Sequence, residues 1–148
     1  MFIGSYIYSI DQKGRVSIPA KLRKYVKPEA NDTFVLTRSS EKCIDIYPYD
    51  FWRVLVDEKL AKLNMFDPEQ AMFVRMFLQE ATEDKMDSQY RLSIPKKLID
   101  HANVEGEVFI LGALNKIEIW NPQVYEDYTK KQGKPFEEVA KEVMNRRV

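Results

Sequence analysis

The sixteen residues Asp11–Val26, DQKGRVSIPAKLRKYV, return at Asp87–Ala102 as DSQYRLSIPKKLIDHA. Asp, Arg, Ser, Ile, Pro, Lys and Leu stay in step, while Gly14 of the first copy becomes Tyr90 in the second. A period of 76 residues that occurs only twice in a chain of 148 is too long and too few for a solenoid. It predicts one fold built from two related halves.

The likeness continues downstream, where DTFVLTRSSEKCIDIYP (32–48) is answered by GEVFILGALNKIEIWNP (106–122). Each reads as an apolar strand, a polar turn and an alternating strand. Ile44 and Ile46 oppose Cys43, Asp45 and Tyr47, just as Ile117 and Ile119 oppose Lys116, Glu118 and Trp120. Pro19 and Pro95 close the short Ser-Ile-Pro strands and suit the first turn of the helices that follow. About four short strands with one apolar face are marginal alone. Two such halves paired around a pseudo-two-fold axis are expected to close a barrel and remove open edges.

Between the halves the period changes to 3.6. DFWRVLVDEKLAKLN spaces Phe51, Leu55, Leu60 and Leu63 helically, and DPEQAMFVRMFLQEA opens with Asp67 as N-cap, Pro68 and a capping-box Gln70. A helical hairpin is expected there. NPQVYEDYTKKQ and PFEEVAKEVMNRRV predict C-terminal helices, the second with Phe136, Val139, Ala140 and Val143 as an apolar stripe before a basic tail. The class is therefore α+β, a duplicated β-barrel with helical additions. Its expected divisions are a first unit at 5–50, a helical connection at 51–82, a second unit at 83–124 and a helical tail at 125–148.

Composition allows such a core, with 45% hydrophobic and 12% aromatic residues. No run approaches the roughly 20 apolar residues of a membrane span, and MFIGSYIYSID lacks the basic and apolar regions of a secretory signal. A cytoplasmic protein with no membrane partner is expected. The single cysteine, Cys43, excludes an internal disulfide and reads as a packing residue.

The net charge is zero, but it is unevenly spread. Residues 1–27 carry Lys13, Arg15, Lys21, Arg23, Lys24 and Lys27 against Asp11 alone, whereas residues 57–84 hold seven acids against three bases. One end attracts polyanions. Within DQKGR, Asp11 can accept backbone amides and Gly14 can take positive φ, so a tight turn should project Lys13 and Arg15. An arginine forks two hydrogen bonds to phosphate or to a guanine edge, while Lys21, Arg23 and Lys24 extend the basic surface along the next helical turns. The competing reading is that Arg15 and Arg91 merely staple their turns to Asp11 and Asp87. The two roles are compatible.

The phrase DQKGRVSIP, preceded by MFIGSY and followed by AKLR, resembles the start of the MraZ family of bacterial transcriptional regulators. The likeness is essentially full length and includes NKIEIW late in the chain. It implies two AbrB-like, swapped-hairpin units joined by helices. It also implies binding of double-stranded DNA at promoter direct repeats of the division and cell-wall gene cluster, by a ring-shaped homo-oligomer associated with the nucleoid. Carried over onto this chain, the motif assigns Asp11, Lys13, Gly14 and Arg15 in the first copy, and Asp87 and Arg91 in the second. Expected DNA contacts are Lys13, Arg15, Lys21, Arg23 and Lys24, with Asp11, Gly14 and Asp87 shaping the turns. Arg91, Lys96 and Lys97 form a possible second contact. Tyr90 in place of glycine and Gln89 in place of lysine are expected to reshape the second turn and leave it mainly structural.

Three other readings are weaker. An enzyme lacks support, because the only histidine, His101, is adjacent to Asp100 on a helix and neighbours there do not face each other. No metal-spaced Cys/His cluster or glycine-rich phosphate loop occurs, so no catalytic residue, metal or cofactor is expected. An antitoxin of the same fold class would carry a polar, acidic, disordered tail, whereas this tail is amphipathic. A purely structural oligomer would use Tyr6, Tyr8, Phe51, Trp52, Tyr90 and Trp120 as core and interface only.

Overall fold

In the computed structural model, residues 1–146 are described, and the last two residues of the expected tail, Arg147 included, lie outside them. The first half contributes strands β1 (Ser5–Ser9), β2 (Arg15–Ser17), β3 (Thr33–Arg38) and β4 (Ile44–Pro48), with a short helix α1 (Ala20–Arg23). The second contributes β5 (Thr82–Lys85), β6 (Arg91–Ser93), β7 (Glu107–Ala113) and β8 (Lys116–Trp120), with α4 (Lys96–Ala102) in the place of α1. Helices α2 (Tyr49–Glu58) and α3 (Pro68–Gln79) connect the halves, and α5 (Pro122–Lys131) and α6 (Phe136–Asn145) follow them.

The halves are woven together rather than stacked. A six-stranded antiparallel sheet runs β1-β7-β8-β4-β3-β5, so the first strand of each half pairs with the hairpin of the other. The remaining strands, β2 and β6, pair only with each other and form a separate two-stranded ribbon. The exchange is reciprocal in detail: the Ile18 amide donates to the Tyr90 carbonyl at 2.9 Å, and the Ile94 amide to the Gly14 carbonyl at 2.8 Å.

One core serves both halves. Val16, Ile18, Leu22, Phe34, Leu36, Ile44 and Ile46 are matched by Leu92, Ile94, Leu98, Val108, Ile110, Ile117 and Ile119, all buried in one cluster. The period-2 pattern of the hairpins dictates this, since alternate residues point to one face. The expected closed barrel is not found among the described residues. β1 and β5 remain the outer strands of an open sheet, because the short strands that would close it pair as the ribbon instead.

Helices α2, α3 and α5 cover the opposite face of the sheet. Trp52 of α2 stacks on Phe77 of α3 with centroids 5.8 Å apart, and Tyr47 of β4 lies 5.7 Å from Trp52. Asp67 caps α3 by accepting from the Gln70 amide at 3.1 Å. The Gln70 side chain does not complete the capping box; its Oε1 accepts from the Asn64 amide at 2.8 Å and ties down the connecting loop. Asn121 caps α5 through the amides of Gln123 and Val124. The amphipathic α6 leaves its stripe in solvent, with Phe136 80% exposed and Met144 78%.

Candidate nucleic-acid interface

The candidate interface is built from the two turns. Asp11 Oδ1 accepts from the amides of Lys13 at 2.9 Å and Arg15 at 2.8 Å, and Oδ2 accepts from Arg15 Nε at 2.7 Å. Asp87 repeats this: Oδ1 accepts from the amides of Gln89 at 2.8 Å and Arg91 at 3.0 Å, and Oδ2 from Arg91 Nε at 2.8 Å. The backbone amide of the arginine, aided by its guanidinium, holds each carboxyl below its ordinary value. The aspartate thus shapes the turn and aims the arginine at once. Since only Nε is engaged, the outer amines of both guanidinium groups have no hydrogen bond among the described residues. Stapling and presentation coexist.

Tyr90 does not reshape its turn. Its φ is +60° against +79° for Gly14, and its amide bonds the Asp87 carbonyl at 2.9 Å as Gly14 bonds Asp11 at 3.0 Å. The left-handed region costs a residue with a Cβ about 1–2 kcal/mol. What differs is the surroundings. A Cβ on Gly14 would lie 2.9 Å from the Ile94 carbonyl oxygen and 3.1 Å from Ile99 Cδ1, so a side chain is excluded there. At the related place Arg23 stands where the other copy has Ile99. Its guanidinium carbon sits 3.6 Å from the centroid of the Tyr90 ring, and its Nε donates to the Ile18 carbonyl at 3.0 Å. Glycine goes with isoleucine, and tyrosine with arginine.

The ribbon places both turns on one surface. In its register Arg15 faces Ser93, Val16 faces Leu92 and Ser17 faces Arg91. Val16 and Leu92 point into the core, so the four alternate residues, both arginines among them, share the outer side. Arg15 and Arg91 are therefore diagonal neighbours, with Cα atoms about 7–8 Å apart. Their side chains are 29% and 25% exposed, so the geometry gives no ground for ranking one above the other.

The other expected contacts lie around this ribbon. Lys13 is exposed at the tip of the first turn, and Lys21 and Lys24 are exposed on and just after α1. Lys96 and Lys97 are exposed on α4, where Lys96 pairs with Asp100 at 3.2 Å. Through Arg23 and Tyr90, α1 of the first half borders the second turn; through Ile99 and Gly14, α4 borders the first. The cations of the first copy are consequently spread to both ends of the ribbon. Sequence reasoning missed the Arg23–Tyr90 stack, although aligning the copies shows that Gly14 and Ile99 change together to Tyr90 and Arg23.

Elsewhere, chemistry-bearing groups are engaged with one another. His101 Nε2 lies 2.9 Å from the Glu41 carbonyl oxygen, while Asp100 bonds Lys96, so the two make no dyad. Ligand atoms of Cys43, Asp45 and Glu118 come within 4.8 Å of one another, but Lys116 Nζ already bridges Asp45 at 3.0 Å and Glu118 at 3.1 Å. That ammonium occupies the position between the two carboxylates and offsets part of their charge. Burial pushes the Cys43 thiol up to about 12, which makes it inert. No described helix is long and apolar enough to cross a membrane.

A family model described as "MraZ protein, putative antitoxin-like" matches twice, over residues 1–76 and 77–147, one match for each half. The chain belongs to the MraZ family. Proteins named Transcriptional regulator MraZ from Natranaerobius thermophilus and Caldanaerobacter subterraneus subsp. tengcongensis are 38% and 39% identical to it, each over 98% of both chains. One from Alkaliphilus metalliredigens is 40% identical over 95% of this chain and 94% of its own. These MraZ relatives are named as regulators of transcription, and the matches cover nearly the whole of this chain.

Proposed function

We propose that this chain is a sequence-specific DNA-binding regulator of transcription. It acts at promoter direct repeats of the division and cell-wall gene cluster, in the cytoplasm at the nucleoid. The observation that carries this reading is the ribbon, which presents two aspartate-braced guanidinium forks, Arg15 and Arg91, side by side on one outward face. A fork held at Nε keeps two parallel donors for phosphate or for the O6/N7 edge of guanine. Lys13 on the first turn, Lys21 and Lys24 on and after α1, and Lys96 and Lys97 on α4 supply the less directional phosphate attraction, and Arg23 adds a third guanidinium. The names of the relatives support regulation by such a protein.

The working form is a ring-shaped homo-oligomer. One ribbon offers few cations, and a small set of phosphate contacts gives modest affinity that tethered copies multiply through effective concentration. Exposed apolar side chains support assembly: Phe66, Met72, Phe73 and Met76 on and before α3, and Phe136, Val143 and Met144 on α6. The reciprocal pairing of β1 with β7 and of β5 with β3 is read as the swapped-hairpin arrangement of two AbrB-like units, 5–50 and 83–124. The test is to sequence the duplexes that the purified protein retains from fragmented DNA of its own genome. Enrichment of short direct repeats upstream of division and cell-wall genes is expected; recovery no different from the input would overturn the reading.

A further inference from the structure

We propose that Tyr90 and Arg23 make the two ends of the ribbon inequivalent and so give it a direction on DNA, Arg23 serving at the second turn as Lys13 serves at the first. The inference rests on the DNA-binding reading above and names what orients it. The starting point is the pseudo-two-fold symmetry of the ribbon. Arg15 and Arg91, with Asp11 and Asp87, have nearly the same geometry and exposure. A ribbon with only these groups would meet a half-site equally well in either orientation, because its rotation maps one fork onto the other. Direct repeats would then bind no better than inverted ones.

Two features break that symmetry. At the first turn Gly14 is buried beneath Ile99, and the cation at the tip is the exposed Lys13. At the second turn the tip residue is the neutral Gln89, and the cation added beside the turn's own Arg91 comes from the other half. Arg23 is held against the Tyr90 ring at 3.6 Å and by the Ile18 carbonyl at 3.0 Å. Tyr90 is 48% exposed and directly precedes Arg91. A guanidinium stacked on an aromatic face with its Nε engaged keeps its outer edge open and loses little further freedom on contact. Lys13, by contrast, is a mobile point charge. One end of the ribbon thus presents a mobile ammonium, the other a fixed planar fork beside an aromatic ring. Tyr90 is the positioning residue and Arg23 the contact.

The test uses the full-length protein and duplexes carrying a half-site selected by the parent from a random pool, arranged as two direct or two inverted copies at equal spacing. Parent, Tyr90→Phe, Tyr90→Gly and Arg23→Lys are titrated by fluorescence anisotropy. Glycine is well suited to φ +60°, so Tyr90→Gly should fold, and a melt verifies it. The parent and Tyr90→Phe, which keeps the ring, are expected to prefer direct repeats by about tenfold or more, whereas Tyr90→Gly and Arg23→Lys bind both arrangements within about twofold of each other. A merely structural role for the stack would move the melt and leave this ratio alone. A folded Tyr90→Gly protein with the parent's ratio overturns the inference while the DNA-binding reading stands. Failure of the parent to select any half-site overturns both.

Discussion

Gly14 and Tyr90 occupy the same place in two turns and the same region of backbone space, yet only one can carry a side chain. The difference lies across the pseudo-two-fold axis, in Ile99 and Arg23. Gly14→Ala would place a Cβ against a backbone carbonyl at positive φ, and should cost about 2 kcal/mol or more, read as a lowered urea midpoint. Tyr90→Gly relieves a strained backbone and gives up one stack, so its stability should remain within about 1 kcal/mol of the parent. Equal losses in the same titration would contradict this division. The acid limit of the turns follows from Asp11 and Asp87. Both folded-state pKa values are lowered, so their contribution is fully present above the ordinary value of 3.8 and is lost as pH falls through the lower folded value. Backbone resonances of Lys13, Arg15, Gln89 and Arg91 should hold steady down to about pH 4 and shift below it. Shifts beginning near pH 6 would mean that the carboxylates do not brace the turns.

Among the elements, the hairpins β3–β4 and β7–β8 were legible in the sequence because period-2 alternation maps directly onto a sheet with one buried face. The cap of α3 was legible too, since Asp67-Pro is a local signal. The open sheet was not, because the choice of β2 and β6 to pair with each other is made by contacts between the halves. The Tyr90 turn escaped prediction for the same reason: intrinsic φ preference argued against it, and a stack from a distant helix supports it. The buried ion cluster on β4 and β8 was likewise invisible as a unit, though Asp45, Lys116 and Glu118 were correctly placed on the face away from the isoleucines. Burial and then the two carboxylates act on Lys116 in opposite senses, and the carboxylates win, raising its pKa. Removing it in Lys116→Met would strand two carboxylates, one of them only 7% exposed, and should cost about 3 kcal/mol. An unchanged melting temperature would show that the cluster contributes no net stability.

For the whole molecule, the proposed ring would make assembly and salt dependence two faces of one mechanism. Light scattering at micromolar concentration should give a mass several times that of the 17.5 kDa chain. A monomer that still binds its site tightly would remove the ring from the mechanism. Each neutralised phosphate adds about 0.9 to the slope of log affinity against log salt, so several engaged ribbons should produce a steep fall between about 50 and 200 mM salt. A slope near that of one ribbon would mean that copies do not bind together. The ribbon itself is tested most directly by titrating a duplex of the protein's own promoter region with the parent and with the Arg15→Ala/Arg91→Ala double variant, under the same salt and with melts recorded in parallel. Both guanidinium groups lie at the surface, so the variant should keep its fold and oligomeric mass while specific affinity falls by about a hundredfold or more. An affinity equal to the parent's, with fold and mass intact, would contradict the claim that this ribbon is where the protein meets DNA.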